Sequence, residues 1–500
     1  MKNIKISILC VIVAAALTIA MLSLKANGQK SEVLQNDSSY ITSENLALNK
    51  GDKKVKKLTD GNVSTCYKSF SKNNDSINID LKSMQEFNCI ILKENGLNIK
   101  DFTILASENG ETYTEIYHGD KIEYHRLCTF DTVSARYIRI FISKADSFFS
   151  IKEIEVYNQP QIISDDFRMT GYVLNTGFYE ILQNDLIADK KAAIKSMLDG
   201  YNFSELTHVN FFCGVTFDED GNVFVGKQDD YQNETQQESR KELKYMVDCM
   251  REFGSDQLKI TFDIGNGSGN YSTNIAMDNN RDFFISNLIN LANEIGFDGI
   301  DIDYEFPQSD YDFQTFSNFL IELKSRMVNE LNVKEKCILS CAFGTRDVNY
   351  SQEVINALDM VNMMTYDIFD QDGEHSSFWS CAVQGAKYLE EVGFSKEQIN
   401  IGIPFYGTQV DALMEQYSYK DAQGFDYYKN RYIFNSYYNA SPTEVYFNSP
   451  AMVRDKTAYA LLNEYGGIMV WHFSCDTDYS SDYSLWKAAY TAVNQFGGAK

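Results

Sequence analysis

FDGIDIDYE, at residues 297–305, ends in three acids that alternate with apolar or aromatic residues. Because successive side chains of a β-strand point to opposite faces, Asp301, Asp303 and Glu305 share one face, with their Cα atoms roughly 7 Å apart. The opposite face is apolar, which argues against a polar strand edge in water. Neighbouring carboxyl groups disfavour one another's ionisation, and burial costs them further free energy. The pattern therefore predicts an acid with a raised pKa that can protonate a leaving group.

After residue 168 the sequence alternates between short apolar runs and longer helical patterns. Eight of the runs are typical of β-strands: Met169–Leu174, His208–Cys213, Lys259–Ile264, Gly299–Glu305, Cys337–Phe343, Met360–Tyr366, Ile399–Phe405 and Gly467–Phe473. Strands that alternate with helices in this number predict an α/β fold, the TIM (β/α)8 barrel. The acid stretch is the fourth strand, and Glu305 falls at its carboxyl end, where active sites of this fold lie.

Residues 44–158 follow a different pattern, in which short alternating strands are separated by turn residues. The predicted strands are Ser76–Leu81, Asn88–Lys93, Asp101–Ser107, Arg136–Ser143 and Ile151–Tyr157. This spacing predicts an all-β sandwich. We therefore expect a multidomain chain, with a β-sandwich before the barrel.

The acid stretch also carries a family resemblance. Residues 298–305 match the Asp-Gly-x-Asp-x-Asp-x-Glu signature of glycoside hydrolase family 18 at every defined position. Further pieces resemble the family's other strands in order and spacing: Gly171-Tyr172, His208 to Phe212, Leu339 to Ala342, Met364-Thr365-Tyr366-Asp367, Ile401 to Gly407 and Gly466 to Trp471. The resemblance covers about 168–492 and implies a chitinase-like or endo-β-N-acetylglucosaminidase-like barrel.

The resemblance implies a role for each site residue. In this family the substrate's own 2-acetamido oxygen is the nucleophile. Glu305 would be the general acid and then the base, Asp303 would bind the acetamido N–H, and Asp301 would orient Asp303 and share a proton with it. Tyr366 would donate to the acetamido oxygen, and Trp471 would floor the sugar pocket. The remaining pocket residues would be Tyr172, Met364 and Asp367, and catalysis needs no cofactor.

Two features depart from the family pattern. The third strand usually ends Ser-x-Gly-Gly, but here it reads Asp263-Ile264-Gly265-Asn266. A fourth acid near Asp301 requires that one of the two carry a proton, which leaves the charge of the inner acids open.

The segment between Gly407 and Gly466 is too short for the α+β insertion of many processive chitinases, so we expect a shallower groove. His375 and Trp379, after the sixth strand, are expected to line the cleft.

The N-terminal region resembles the coagulation factor 5/8 type C (discoidin) domain, a jelly roll also called the family 32 carbohydrate-binding module. The matching pieces are Asn45-Leu46-Ala47, Asp60-Gly61-Asn62 with Thr65, Thr103 to Ser107, Ala135 to Arg139 and Glu153 to Tyr157. Such modules often hold one structural Ca2+. The matching ligands would be Lys57 through its carbonyl, Asp60, Asn62, Thr65 and Glu153, all oxygen donors that suit Ca2+. An ordinary Asp-Gly turn is the alternative.

Composition narrows the function classes. The 500 residues carry a formal net charge of −25, which argues against nucleic acid or anionic membrane as partner. The cysteines after Cys10 are scattered without metal-ligand spacing, and no disulfide framework is expected. The basic and then apolar N-terminus predicts an export signal or an uncleaved anchor. The expected organisation is a signal or anchor at 1–28, a linker at 29–43, the module at 44–158, a linker at 159–167 and the barrel at 168–492.

These observations predict a secreted or surface-anchored bacterial extracellular enzyme that cleaves β-1,4 bonds next to N-acetylglucosamine in a polysaccharide or glycan. Two alternatives stay open. One is an endo-β-N-acetylglucosaminidase acting on N-glycans, and the other is a lectin that binds chitin or glycan without cutting it.

Overall fold

The computed structural model describes residues 40–498, with gaps at 52–54, 164–165, 227–232, 266–268, 334, 345–349, 371, 374, 410–411 and 436–441. The predicted signal or anchor at 1–28 lies outside the described residues, as does most of the linker at 29–43. Among the helices that are described, none is long and apolar enough to cross a membrane. None of the nine cysteines of this part forms a disulfide, and all but Cys66 are buried.

The N-terminal region is antiparallel β-structure. Its sheet contains, in spatial order, the strands Tyr67–Lys68, Ser150–Tyr157, Asp75–Glu94, His125–Ala145, Ile99–Ser107 and Thr114–Gly119. The two long strands pair with register shifts between Asp80 and Gln85 and between Phe87 and Cys89. Such irregularities bend a strand, which lets the sheet fold over its own apolar core as a sandwich.

Two predicted strands, Ser76–Leu81 and Asn88–Lys93, are halves of one strand in the structure. The predicted break corresponds to the register shift at Lys82, whose φ of 74° is left-handed. The prediction also missed Thr114–Gly119, which pairs with Ile99–Ser107 at the sheet edge. The local sequence pattern indicated the irregularity near Lys82, but it could not show that the same strand continues to pair with its neighbour beyond that point.

The C-terminal region is a closed barrel of parallel strands, which confirms the predicted fold class. Its strands in chain order are Arg168–Leu174, His208–Phe212, Lys259–Ile264, Gly299–Ile302, Ile338–Gly344, Met360–Met364, Ile399–Pro404 and Gly467–Trp471. The helices described around and after them are Thr176–Leu182, Lys190–Gly200, Asn233–Phe253, Asn270–Asp278, Arg281–Ile295, Asp310–Glu330, Gln352–Ala357, Trp379–Val392, Pro450–Leu462 and Leu485–Phe496.

The fourth strand ends at Ile302 rather than at Glu305, so the last two acids lie just beyond it. A capping box starts the next helix: Ser309 Oγ accepts from the Asp312 N–H at 3.2 Å, and Asp312 Oδ2 accepts from the Ser309 N–H at 3.1 Å. This cap leaves only a short connection, residues 303–309, between the fourth strand and its helix.

The segment after the seventh strand folds as a small antiparallel sheet. Its strands are Tyr406–Gln409, Ala412–Ser418, Arg431–Asn435 and Pro442–Tyr446. Ser449 then caps the helix Pro450–Leu462 by accepting from the Met452 N–H at 3.2 Å, with Pro450 in its first turn.

The helix Pro450–Leu462 is buried along its whole length, including Arg454, Asp455 and Lys456. The barrel covers one side, and the N-terminal module covers another. Asp455 accepts from the Tyr117 hydroxyl at 2.7 Å and from the Thr129 N–H at 2.8 Å. The module therefore packs directly on the barrel through buried polar contacts.

Candidate active site

Asp301 lies at the centre of the barrel and is fully buried. Its carboxylate accepts hydrogen bonds from the first, fifth and sixth strands: from the Tyr172 hydroxyl at 2.5 Å, from the Ser340 hydroxyl, and from the Asn362 amide at 3.3 Å. Asn362 is oriented by Asn400, whose Nδ2 donates to its Oδ1 at 2.9 Å, so the Asn362 NH2 group faces Asp301. Burial raises the pKa of Asp301, and the hydrogen bonds from Ser340, Tyr172 and Asn362 oppose that rise because they favour the ionised form.

Asp263 is the direct neighbour of Asp301 in the register of the third and fourth strands. The two carboxyl groups share a hydrogen bond, and Asp263 Oδ2 has no partner among the described residues. Burial, followed by the charge of Asp301, raises the pKa of Asp263. The fourth acid expected from the sequence therefore contacts Asp301 directly.

Asp303 and Glu305 follow the end of the fourth strand and point toward the barrel mouth. The backbone N–H of Asp303 donates to the Ile264 carbonyl at 3.0 Å. Between the two acids, Tyr304 is buried on the other side, where its hydroxyl donates to Asn274 at 3.2 Å and its ring contacts Phe316. Anchoring Tyr304 behind the strand keeps both acids on the inner face.

The carboxyl groups of Asp303 and Glu305 share a hydrogen bond. Burial and then the nearby Glu305 charge raise the pKa of Asp303 well above its usual range. Glu305 is open to solvent at the mouth, yet the protein packed around its carboxyl group raises its pKa, and the bond from Asp303 opposes that rise. The pair can hold one proton at the open end of the site.

Aromatic rings form one wall of the mouth. Trp471, at the end of the eighth strand, is half-buried, and its ring lies 5.2 Å from Tyr172 and 5.7 Å from Phe212 between centroids, both edge-on. Phe212 remains 38% exposed. A partly exposed indole beside an exposed phenyl ring is a surface on which a sugar ring can stack.

The ends of the sixth and seventh strands continue this wall, because the seventh strand pairs with the eighth. Tyr366 is half-buried, and its ring centroid lies 6.0 Å from that of Tyr406, which donates its hydroxyl to Asp367 Oδ2 at 2.6 Å. Burial raises the pKa of Asp367 to about 6. Burial and then the Glu305 charge raise the pKa of Tyr366, so its hydroxyl stays a donor. Met364 is half-buried at the end of the sixth strand.

The expectation that His375 and Trp379 line the cleft is wrong. Both are buried, and Trp379 packs edge-on against Tyr459 and stacks on His125 of the N-terminal module. The module covers these side chains, which the loop sequence alone could not show.

Several site residues were not predicted from the sequence: Phe212, Ser340, Asn362 and Tyr406. Asn362 could have been recognised from the sequence, because it is a lone amide in the apolar strand MVNMM. The structure shows that it is completely buried. Buried amides are normally hydrogen-bonded, so such a residue points to a polar partner inside the barrel.

The predicted calcium ligands converge in the module. The Thr65 hydroxyl lies 3.1 Å from the Lys57 carbonyl oxygen, 3.0 Å from the Asn62 carbonyl oxygen and 3.0 Å from Asp60 Oδ2. Glu153 Oε1 accepts from the Gly61 N–H at 3.1 Å, while its buried Oε2 has no partner among the described residues. Burial raises the pKa of Glu153 to about 7. An unpaired buried carboxylate oxygen beside carbonyl and carboxylate oxygens fits a hard cation.

The oxygen ligands here include only two carboxylates. Within the described ranges, no group of three or more His, Cys, Asp or Glu side chains is arranged to hold a metal ion. Any ion bound in the module would therefore depend on the backbone carbonyls of Lys57 and Asn62 and on the Thr65 hydroxyl.

Comparison with known proteins identifies the family of each region. Residues 168–476 match the family model "Glycosyl hydrolases family 18", and residues 38–154 match "F5/8 type C domain". A class V chitinase of Arabidopsis thaliana is 26% identical over 30% of this chain and 45% of its own length. Chitotriosidase-1 of Mus musculus is 24% identical over 30% of this chain and 39% of its own length.

The chain spans less than half the length of either relative. A solved structure of a class V chitinase mutant from Nicotiana tobaccum in complex with NAG4 shares the fold, with a TM-score of 0.50 and 16% identity over 67% of this chain and 100% of that one. The family model covers more than half of the sequence, together with every residue of the acid cluster. The chain belongs to family 18 of the glycosyl hydrolases.

Proposed function

We propose that this chain hydrolyses β-1,4 bonds next to N-acetylglucosamine, in a chitin-like polysaccharide, with retention of configuration. The observation that carries the proposal is the hydrogen-bonded pair Asp303–Glu305 at the open end of the barrel. It places one transferable proton beside a ring-lined pocket, and a carboxyl group with a raised pKa is what a general acid requires. The chitinases among the relatives support this substrate class.

In the first step, Glu305 would protonate the glycosidic oxygen as its bond to the anomeric carbon breaks. The substrate's acetamido oxygen attacks that carbon from the other face and forms a cyclic oxazolinium ion. Asp303 passes the single proton of the pair to Glu305 as Glu305 protonates the leaving oxygen, and the resulting Asp303 carboxylate accepts a hydrogen bond from the acetamido N–H and offsets the positive charge. Tyr366 donates its hydroxyl to the acetamido oxygen and fixes its direction of attack.

In the second step, Glu305 is a carboxylate and takes a proton from water. The water oxygen bonds to the anomeric carbon, the ring of the oxazolinium opens, and the original acid is restored. Two inversions at one carbon give net retention. Trp471 would stack under the sugar in the pocket, with Tyr172, Met364 and Asp367 around it.

The test is product analysis on two substrates. The protein is incubated with chitin oligosaccharides and with a high-mannose glycoprotein, and products are identified by mass spectrometry. We expect chitobiose from the first substrate. Release of an intact glycan ending in a single N-acetylglucosamine would instead identify an endo-β-N-acetylglucosaminidase. Binding without cleavage of either, unchanged in Glu305→Gln, would identify a lectin.

For the N-terminal module we propose one structural Ca2+ held by Asp60, Glu153 and Thr65 with the carbonyls of Lys57 and Asn62. The unpaired Glu153 oxygen supports this proposal. For the segment 1–28 we propose export of the protein, followed by release or retention at the cell surface. Mass spectrometry of the exported protein distinguishes the two by the presence of the N-terminal peptide.

A further inference from the structure

Two buried carboxyl groups in contact cannot both be ionised without a large cost in free energy, and Asp263 and Asp301 are such a pair. They lie side by side in strand register at the bottom of the site, and neither is open to solvent. One proton must therefore be shared between them, and the hydrogen-bond partners of each side chain show where it belongs.

Asp301 is surrounded by donors. Tyr172 and Ser340 contact it through hydroxyl groups, and Asn362 contacts it through an NH2 group that can only donate. Asp263 has no such support, because its Oδ2 is without a partner in the part of the chain that the structure describes. An unpaired oxygen costs less on a neutral acid than on a carboxylate.

We infer that Asp263 is a neutral acid that donates its proton to Asp301, and that it thereby leaves the Asp303–Glu305 pair its own proton for catalysis. Asp263 is a positioning residue, since it acts through Asp301 and touches no reacting atom. Its catalytic consequence rests on the proposed function, whereas the location of its proton does not.

The consequence for catalysis follows from the negative charge of Asp301 near Asp303. With Asp263 as its fourth donor, Asp301 stays an anion and has little need of a proton from Asp303. Its negative charge disfavours a second anion at Asp303, so Asp303 keeps its proton and directs it outward to Glu305. The cluster thus holds two protons in two separate pairs, an inner pair for structure and an outer pair for reaction.

The other groups around Asp263 agree with this assignment. The titratable groups that face it are Asp301, Asp303, Glu305, the Tyr172 hydroxyl and the Cys213 thiol. Burial raises the pKa of both Tyr172 and Cys213, so these two are neutral and bring no positive charge that could stabilise an ionised Asp263.

The proton is located by neutron diffraction from crystals of the full chain exchanged into D2O. We expect deuteron density on Asp263, directed at Asp301. Density on Asp301, or on neither carboxyl group, overturns the inference. This measurement does not depend on turnover, so it decides the matter even if the wild-type protein cleaves no substrate and the proposed function fails.

The role of the Asp263 proton is tested by the pH profile of kcat/KM in Asp263→Asn, in Asp263→Ala and in a control variant. In Asp263→Asn the amide still donates to Asp301, so the basic limb stays in place. In Asp263→Ala the donor is lost, Asp301 takes the Asp303 proton, and kcat falls about tenfold, the loss expected for a hydrogen bond to a charged group. Glu305 then loses the bond that opposes its raised pKa, so the basic limb moves to higher pH.

An ionised Asp263 predicts a different result. Both substitutions would then remove a negative charge, and the basic limb would move to lower pH in both variants. That result would overturn the role inferred for the Asp263 proton. Asp248→Asn is the matched control, because Asp248 is an exposed helix residue whose loss should leave the profile unchanged.

Discussion

Tyr406 donates its hydroxyl to Asp367 Oδ2 at 2.6 Å and so joins the segment just after the seventh strand to the residue that follows Tyr366. Asp367 has a left-handed backbone, with φ of 58°, and its other oxygen, Oδ1, is buried without a partner among the described residues. The bond from Tyr406 is therefore the side-chain contact that orients this carboxyl group in the pocket.

Replacing Tyr406 by Phe should raise KM for chitin oligosaccharides about tenfold, because a hydrogen bond to a charged group contributes about 1.5 kcal/mol or more. We expect kcat to fall less, since the role proposed for Asp367 is to contact the sugar and not to transfer the proton. Steady-state kinetics measure the changes in KM and in kcat separately. Tyr465→Phe is the control, because Tyr465 makes a similar bond to Glu390 outside the pocket. Equal effects of the two changes would contradict the role of Tyr406.

The raised pKa of Asp367 makes stability depend on pH. In the folded protein this group titrates at about 6, against an ordinary value of 3.8. Between these values the folded state binds more protons than the unfolded state, so the contribution of Asp367 to the free energy of unfolding falls as pH rises through this window. Asp367→Asn should remove this loss and gain stability relative to wild type between pH 4 and pH 7. Urea unfolding of both proteins at several pH values tests this prediction. A difference in the free energy of unfolding that does not change with pH would count against it.

Loss of the proton-transferring pair should abolish turnover while the fold survives. Glu305→Gln and Asp303→Asn are each expected to lower kcat by about a thousandfold, within the range that general acid–base catalysis contributes. Circular dichroism and thermal melting check the fold, and both amides retain the size of the acid they replace. A Glu305→Gln protein with a near-normal rate would refute the assignment of the acid.

The sequence predicted the barrel well because its strands are short, apolar and bounded by helices, so each can be recognised from local pattern. The same holds for the acids of the fourth strand, whose alternation survives beyond the strand end because Tyr304 is anchored behind it. What the sequence could not show were contacts between distant segments. Ser340 contacts Asp301 because the fifth strand pairs with the fourth, and Asn362 contacts it from the sixth strand. Trp379 is covered only because the module packs on it.

Calcium should stabilise the N-terminal module through Glu153. Ca2+ is expected to raise the melting temperature and a chelator to lower it, because an ion that binds only the folded state stabilises that state. Since the pKa of Glu153 is about 7, protons should compete with the ion, and the stabilisation should weaken as pH falls below that value. Glu153→Gln should lose the response to Ca2+. Thermal melts of both proteins, with and without a chelator, provide the test.

Asp455 should hold the module and the barrel together as one unfolding unit. This residue is fully buried, accepts from Tyr117 and Thr129 of the module, and lies 3.4 Å from the guanidinium of Arg126. Asp455→Ala leaves Arg126 buried without its carboxylate, and removal of one partner of a buried ion pair costs about 3–5 kcal/mol. Asp131→Ala is the matched control: Asp131 also joins the module to this helix through Arg454, but its side chain is 89% exposed.

Water screens the exposed Asp131 carboxylate, and the buried Arg454 also donates to Gln495 Oε1 at 2.6 Å, so the loss of Asp131 should cost no more than about 1 kcal/mol. In calorimetry we therefore expect Asp455→Ala to lower the unfolding temperature strongly and to separate the module and barrel transitions, while Asp131→Ala leaves a single transition near that of wild type. If both variants unfold alike, the buried network does not couple the two domains, and the module is attached to the barrel mainly by its apolar contacts.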